Sequence, residues 1–261
     1  MKRIIASCLV ACTVSAVSAS LPSMKTDTTF TAKANPFVTY KYLGDPAALV
    51  DGGKVYIYAG HDECPDHQNR YVMNEWCILS TSDMKTFTEH AYTLKATDFP
   101  WARGEAWAGQ VIKRGDKYYW FVTAEHKSIR GKAIGVAVAD SPEGPFIPQP
   151  EALITNDMTT KYTPIGWEDI DPTVMVDDDG QAYIFWGNTQ LYYARLKENM
   201  KSIAACFFFD GIVNVIFLCH AQKVRNALDL HVFQLAGMLR KFFHGNSAFS
   251  LRLSGKKVLH G

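Results

Sequence analysis

The sequence predicts an all-β fold of the β-propeller type, in which short four-stranded units repeat around a common axis, and three observations predict it. Residues 167–188, WEDIDPTVMVDDDGQAYIFWGN, follow the same pattern as residues 42–61, YLGDPAALVDGGKVYIYAGH: Asp-Pro, an apolar run, a Gly-containing turn and a second, aromatic strand. Setting Lys54 against Gln181 and Val55-Tyr56-Ile57-Tyr58 against Ala182-Tyr183-Ile184-Phe185 carries Asp45 onto Asp171. A third copy, residues 107–121, lies between them, so that Lys54, Lys117 and Gln181 are spaced by 63 and then 64 residues. A period of that size built from short strands is the sequence signature of propeller blades.

Taken from the N-terminus, Met1-Lys2-Arg3, the apolar stretch from Ile4 to Val17 and the small residues Val17-Ser18-Ala19 read as a secretory signal over residues 1–19, too short for a membrane anchor. Leu9-Val10-Ala11-Cys12 also has the form of a lipoprotein site, so secretion or a periplasmic location is expected, with anchoring at Cys12 as the alternative. Residues 20–41 form a polar leader ending in an extended segment. The first repeat follows with strands near 46–50, 54–59 and 76–81 and a turn over 82–88; the second runs from 107 to 139 and closes with Asp140-Ser141-Pro142-Glu143-Gly144-Pro145-Phe146. The third begins at Asp171 and ends with a strand over 189–196. Apolar alternation between short Gly or Asp turns is the signal in each. Asp177-Asp178-Asp179-Gly180 lacks the ligand spacing of a calcium loop and reads as a hairpin turn.

Composition is that of a globular protein, 48% apolar and 20% charged with net charge +1, which excludes a polyanion such as nucleic acid as the expected partner. The average conceals a break near residue 203. Residues 199–261 hold two acids, Asp210 and Asp229, against eight Lys or Arg, and all six Trp and twelve Tyr lie before residue 194. Val224, Leu228, Val232, Leu235, Leu239 and Phe242 fall at helical spacing, while the apolar run from Phe207 to Cys219 is too short to span a bilayer. The domain reading is therefore a partial propeller over 42–203 and a tail over 204–261 that does not continue it. Cys64 and Cys77 are either a bridge or two thiols, and no cofactor motif or metal-ligand cluster is legible.

The chemistry-bearing candidates follow from repeat phase. Equivalent positions in a propeller point at one axis, so Asp45 and Asp171 are expected at one channel mouth, with Ala108 at that phase in the middle copy. Two carboxylates at one cavity are what glycosidic hydrolysis requires; beginning a strand is the plainer role of an Asp-Pro pair. His61, Asp62 and Glu63 end a strand of the first repeat, Glu125 and His126 its counterpart in the second, and Asn188 falls near the same place in the third. These residues either ring a saccharide or hydrogen-bond the backbone of their own loops. Trp101, Trp107 and Trp167 precede strands and either stack on a sugar ring or pack in the core.

The segments YLGDPAALVDGGKVYIYAGHDE, EAWAGQVIKRGDKYYWFVTAEH, GKAIGVAVADSPEGPFIP and WEDIDPTVMVDDDGQAYIFWGNTQLYYARLKENM resemble glycoside hydrolase family 43, especially its arabinoxylan arabinofuranohydrolases and β-xylosidases, over residues 35–200. The resemblance implies a five-bladed propeller, of which about three blades are present, and an inverting hydrolase of plant cell-wall polysaccharide. It implies Asp45 as the general base and Asp171 as the residue that tunes and orients the general acid. That acid is expected to be a Glu on the following blade, and here the sequence departs: Glu198 is the last glutamate of the chain. The tail after residue 203 then reads as a shifted reading frame or a mis-joined gene, or as a replacement domain. A chain without the acid leaves carbohydrate binding without turnover, or a non-functional fragment, as the alternatives to hydrolysis.

Overall fold

A computed structural model describes residues 26–159 and 165–208, with side chains described through Ala204; the signal-like pattern expected over residues 1–19, Cys12 and the helical pattern of the tail lie outside the described residues. Strand β1 is Thr28–Thr31, followed by β2 Tyr42–Asp51, β3 Lys54–Asp62, β4 Met73–Thr81, β5 Thr86–Glu89 and β6 Leu94–Lys95. A 3-10 turn at Ala96–Asp98 leads to β7 Ala102–Arg114, β8 Lys117–His126, β9 Lys132–Ala139 and β10 Ile147–Pro148. The last four strands are β11 Thr173–Val176, β12 Ala182–Trp186, β13 Tyr192–Leu196 and β14 Ile203–Phe208. These make three antiparallel sheets: β1-β5-β4-β3-β2 with β6 also on β4, then β10-β9-β8-β7, then β11-β12-β13-β14. Each repeat seen in the sequence is thus one sheet, and no α-helix occurs among the described residues.

Two boundaries differ from the sequence reading. Part of the polar leader is structural, because β1 pairs with the outer strand β5 from Thr28 opposite Glu89 to Thr31 opposite Thr86. Its Phe30 and the following Phe37 stack on Phe87, at 5.7 and 4.6 Å between ring centroids. At the other end, β14 pairs with β13 across the composition break, Ala194 opposite Cys206 and Tyr192 opposite Phe208. The third sheet therefore continues past residue 203, since Ile203–Phe208 is an apolar run with no Gly, Pro or charge to stop a strand.

Turn chemistry sets the register. Gly52 and Gly53, the two residues between β2 and β3, have φ of +55° and +76°, the pair of left-handed conformations that a two-residue hairpin needs and that glycine adopts without steric cost. Asp177 to Gln181 form the equivalent turn of the third sheet, closed by Gly180 N–H to the Asp177 carbonyl at 2.9 Å. The acidic triplet is therefore a hairpin.

The core lies between the sheets in two layers. Tyr58, Trp76, Ile78, Phe99, Trp120 and Phe146 fill the space between the first and second sheets, with Trp120 edge-on to Tyr58 at 4.9 Å and to Phe146 at 5.1 Å. Phe121, Ile134, Ile154, Ile184, Trp186 and Tyr192 fill the space between the second and third. Successive strand residues point to opposite faces, so Trp120 and Phe121, neighbours on β8 and both fully buried, serve different layers. Gly135 is required by this packing: a Cβ there would stand 2.4 Å from the Trp101 ring.

Candidate active site

Inner strands β2, β7 and β11 head the three sheets, and β7 packs against both of the others. Asp45 sits where the pairing of β2 with β3 slips between Gly44 and Ala47, and Asp171 lies two residues before β11. Both aspartates adopt the left-handed region, φ +49° and +57°, and both precede proline. That conformation costs on the order of 1–3 kcal/mol at a non-glycine residue, and here it recurs at the same repeat phase in two sheets. Asp45 is exposed and Asp171 half-buried.

Asp171 is fixed from below. Its N–H donates to the buried Thr123 hydroxyl of β8 at 3.2 Å, and the Gly187 N–H donates to the Ile170 carbonyl at 2.9 Å. Val174 N–H donates to the Gln110 side chain of β7 at 2.6 Å, so two polar residues inside apolar strands tie the second sheet to the third. Just ahead, Glu168 and Asp169 are only 1% and 0% exposed. The Asn156 amide donates to both, at 2.9 and 2.8 Å, while Asp169 also accepts from the Thr159 hydroxyl and from the Trp186 indole at 2.9 Å. Glu168 accepts the N–H groups of Ile165 at 2.6 Å and Gly166 at 3.1 Å. Burial pushes the Glu168 carboxyl up, but the Asn156 amide and these N–H groups outweigh it and hold the group below its ordinary value.

In the middle sheet the left-handed residue is Glu105, φ +67°, three residues before Ala108. Its carboxylate accepts the Trp107 indole N–H at 2.7 Å and pairs with Lys132 at 3.4 Å. The Lys132 ammonium, nearly buried, stands 3.9 Å from the centroid of the Trp107 ring, which fixes the half-buried Trp107 from one face. Beside this group is an open cavity of about 300 Å³, lined by residues 70–72 of the β3–β4 connection, by Met73 and Asn74 at the start of β4, by Arg103, Gly104 and Glu105, and by Glu125. It contains neither Asp45 nor Asp171.

The other candidates take more local roles. Asp62 accepts the N–H groups of Cys64 and Val72, both at 2.9 Å, and so closes the loop between β3 and β4. His126 accepts those of Ser128 and Ile129 at 3.1 and 2.9 Å, so both residues bond the backbone of their own loops. Glu125 pairs with Arg103, whose guanidinium holds the carboxyl below its ordinary value. His61 faces Glu75 at 3.2 Å. Trp101 corrects an expectation: it is 6% exposed, stacked on His126 at 5.8 Å and packed against Phe99, so its ring is core and offers no platform to a sugar. Trp167 is 46% exposed and Asn188 half-buried. Cys64 and Cys77 are free thiols.

Several site residues were missed by sequence reasoning. Thr123, Gln110 and Lys132 carry a faint signal, a polar residue inside an apolar strand. Glu168-Asp169 sits in view inside WEDIDP, yet only the fold shows that Asn156 and Trp186 reach it.

Comparison with known proteins gives this geometry a family. The chain is 38% identical over 160 residues to a xylosidase/arabinosidase 43A of Humicola insolens, covering 58% of this chain and 45% of that protein. It is 34% identical over 173 residues to a β-xylosidase of Xylanibacter ruminicola, covering 62% and 50%; it thus spans about half the length of the curated relatives it matches. The structure superimposes with a TM-score of 0.57 and 28% identity on a β-xylosidase/α-arabinofuranosidase from a compost microbial metagenome, solved with xylotriose, over 70% of this chain and 63% of that one. The model of glycosyl hydrolases family 43 matches residues 33–210, a span that takes in both Asp-Pro turns and every strand of the three sheets except β1, and the chain belongs to that family.

Proposed function

We propose that this is the framework of a secreted or periplasmic hydrolase that removes terminal arabinofuranosyl or xylosyl residues from arabinoxylan with inversion, Asp45 activating water and Asp171 orienting the general acid. The observation that carries the reading is the recurrence of one strained conformation, a left-handed Asp before Pro, at the same phase of two repeats in a family 43 fold. A carboxylate kept in a costly backbone geometry, at Asp171 with its N–H on the buried Thr123 hydroxyl, is a group whose direction matters. Export is supported by the residue pattern of the first 19 positions.

Asp45 meets the need for a base, but the glutamate expected beyond Asp171 has no counterpart after Glu198. Loss of a general acid costs on the order of 10²–10⁴ in rate when the leaving group needs a proton. This chain is therefore expected to turn over natural arabinoxylan hardly at all and to show its residual turnover on substrates with good leaving groups. The test is hydrolysis of dinitrophenyl arabinofuranoside and xyloside beside arabinoxylan, with Asp45→Ala as control. Slow release from a dinitrophenyl pentoside that vanishes in Asp45→Ala supports the assignment. Brisk turnover of arabinoxylan, or activity that survives the substitution, overturns it.

A further inference from the structure

Away from the two aspartates, the first sheet gathers three unlike ligand types on one face. His61 on β3 is directly opposite Glu75 on β4, and Cys77, two residues further along β4, projects from the same side. His61 Nδ1 lies 3.2 Å from Glu75 Oε1, and one donor atom from each of the three residues lies within 4.8 Å of the others. Bonds of about 2.0–2.3 Å to a tetrahedral ion place its ligands roughly 3.3–3.8 Å apart, so small side-chain rotations bring this set onto one centre. Among the described residues no other cluster of His, Cys, Asp and Glu meets that spacing.

The geometry points to a binding site for one divalent cation of the zinc class, held by His61 Nδ1, a Glu75 oxygen and the Cys77 sulfur, with a fourth position left to solvent. Donor chemistry chooses the ion: a nitrogen, a sulfur and a single carboxylate suit zinc or cobalt, and calcium or magnesium require an oxygen shell. Charge balance supports it. Lys41 lies 3.8 Å from the Cys77 sulfur, but its ammonium is paired with Glu89. The charge of Lys41 is thus already offset, and a dication is balanced by Glu75 together with the Cys77 thiolate. Binding forms the metal–sulfur bond as the Cys77 thiol gives up its proton to solvent. The frame is rigid, since β4 is hydrogen-bonded to β3 on one side and to β5 and β6 on the other.

The site also has a structural reach. It joins the ends of β3 and β4 beside the loop that Asp62 closes, the loop whose Tyr71 borders the open cavity. The experiment is titration of the reduced, metal-free full chain with cobalt(II) chloride, followed by absorption. The expected result is one equivalent bound with a thiolate-to-cobalt charge-transfer band in the near ultraviolet, displaced by zinc chloride. That band should persist in Cys64→Ser, disappear in Cys77→Ser, and need at least about tenfold more cobalt in Glu75→Gln. Absence of the band, or its survival in Cys77→Ser, overturns the site. Should Cys77→Ser fail to fold, Glu75→Gln decides, and unchanged cobalt affinity there overturns it equally.

Discussion

Removing the Asp169 carboxylate should be among the most damaging single changes available in this chain. The side chain is fully buried and accepts from the Asn156 amide, the Thr159 hydroxyl and the Trp186 indole. In Asp169→Ala the hydroxyl can turn and Asn156 keeps Glu168, but the indole N–H is stranded in the core. A buried donor without a partner costs about 1–3 kcal/mol, and breaking a buried charged network by deleting one member typically costs about 3–5 kcal/mol in all. Relief of the buried charge returns part of that, so a loss of about 3–4 kcal/mol is expected, a large share of a total of about 5–15 kcal/mol. Asp169→Asn keeps an oxygen for Trp186 and Thr159 but sets an amide against the Asn156 amide; it should lose only about 1–2 kcal/mol. Urea unfolding of the full chain followed by tryptophan fluorescence reads both, with Trp186 as a local reporter. If Asp169→Ala unfolds within about 0.5 kcal/mol of the parent, as ordinary surface substitutions do, the network does not hold the Asp171 segment.

Acidification should act through the neighbouring carboxylate. The folded value of Glu168 lies below its unfolded one, so its contribution is complete above the unfolded range and is lost as pH falls through the folded value. The urea midpoint should drop below about pH 4.5, less steeply in Glu168→Gln; equal slopes would contradict the assignment. Trp120→Ala empties the layer between the first two sheets and should cost about 3–5 kcal/mol in the same assay, and a loss below about 1 kcal/mol would mean the layer can collapse around the gap. Gly135→Ala forces a methyl into the space of the Trp101 ring and should cost about 1–3 kcal/mol; a neutral outcome would show that the ring has room to move.

The repeat was legible because propeller strands are short, consecutive and joined by tight turns, so local pattern and tertiary position coincide. For the same reason the alignment that set Asp45 against Asp171 found two residues that share a backbone conformation as well as a phase. What escaped was long-range. Nothing in Thr28–Thr31 says that it pairs with a strand nearly sixty residues later, and nothing local tells an aromatic bound for the core from one bound for a ligand, which is why Trp101 stood open between the two roles. Glu105 illustrates a subtler limit. Its left-handed backbone and its bonds to Trp107 and Lys132 are consequences of where β7 slips against β8, a register decided by the whole sheet rather than by three residues.

Placing Trp120 in one packed layer and Phe121 in the other gives the middle sheet a standing the end sheets lack. If the third sheet detaches, β8 keeps its Trp120 face covered; if the first detaches, it keeps its Phe121 face. Only loss of both neighbours uncovers it. Amide protons at the centre of β8 should therefore exchange with solvent deuterium only through whole-molecule opening, while those of β2 and β14, each at the margin of a terminal sheet, exchange through smaller and more frequent excursions. Slow exchange would then be ordered by position in the row of sheets, not by depth within any one of them.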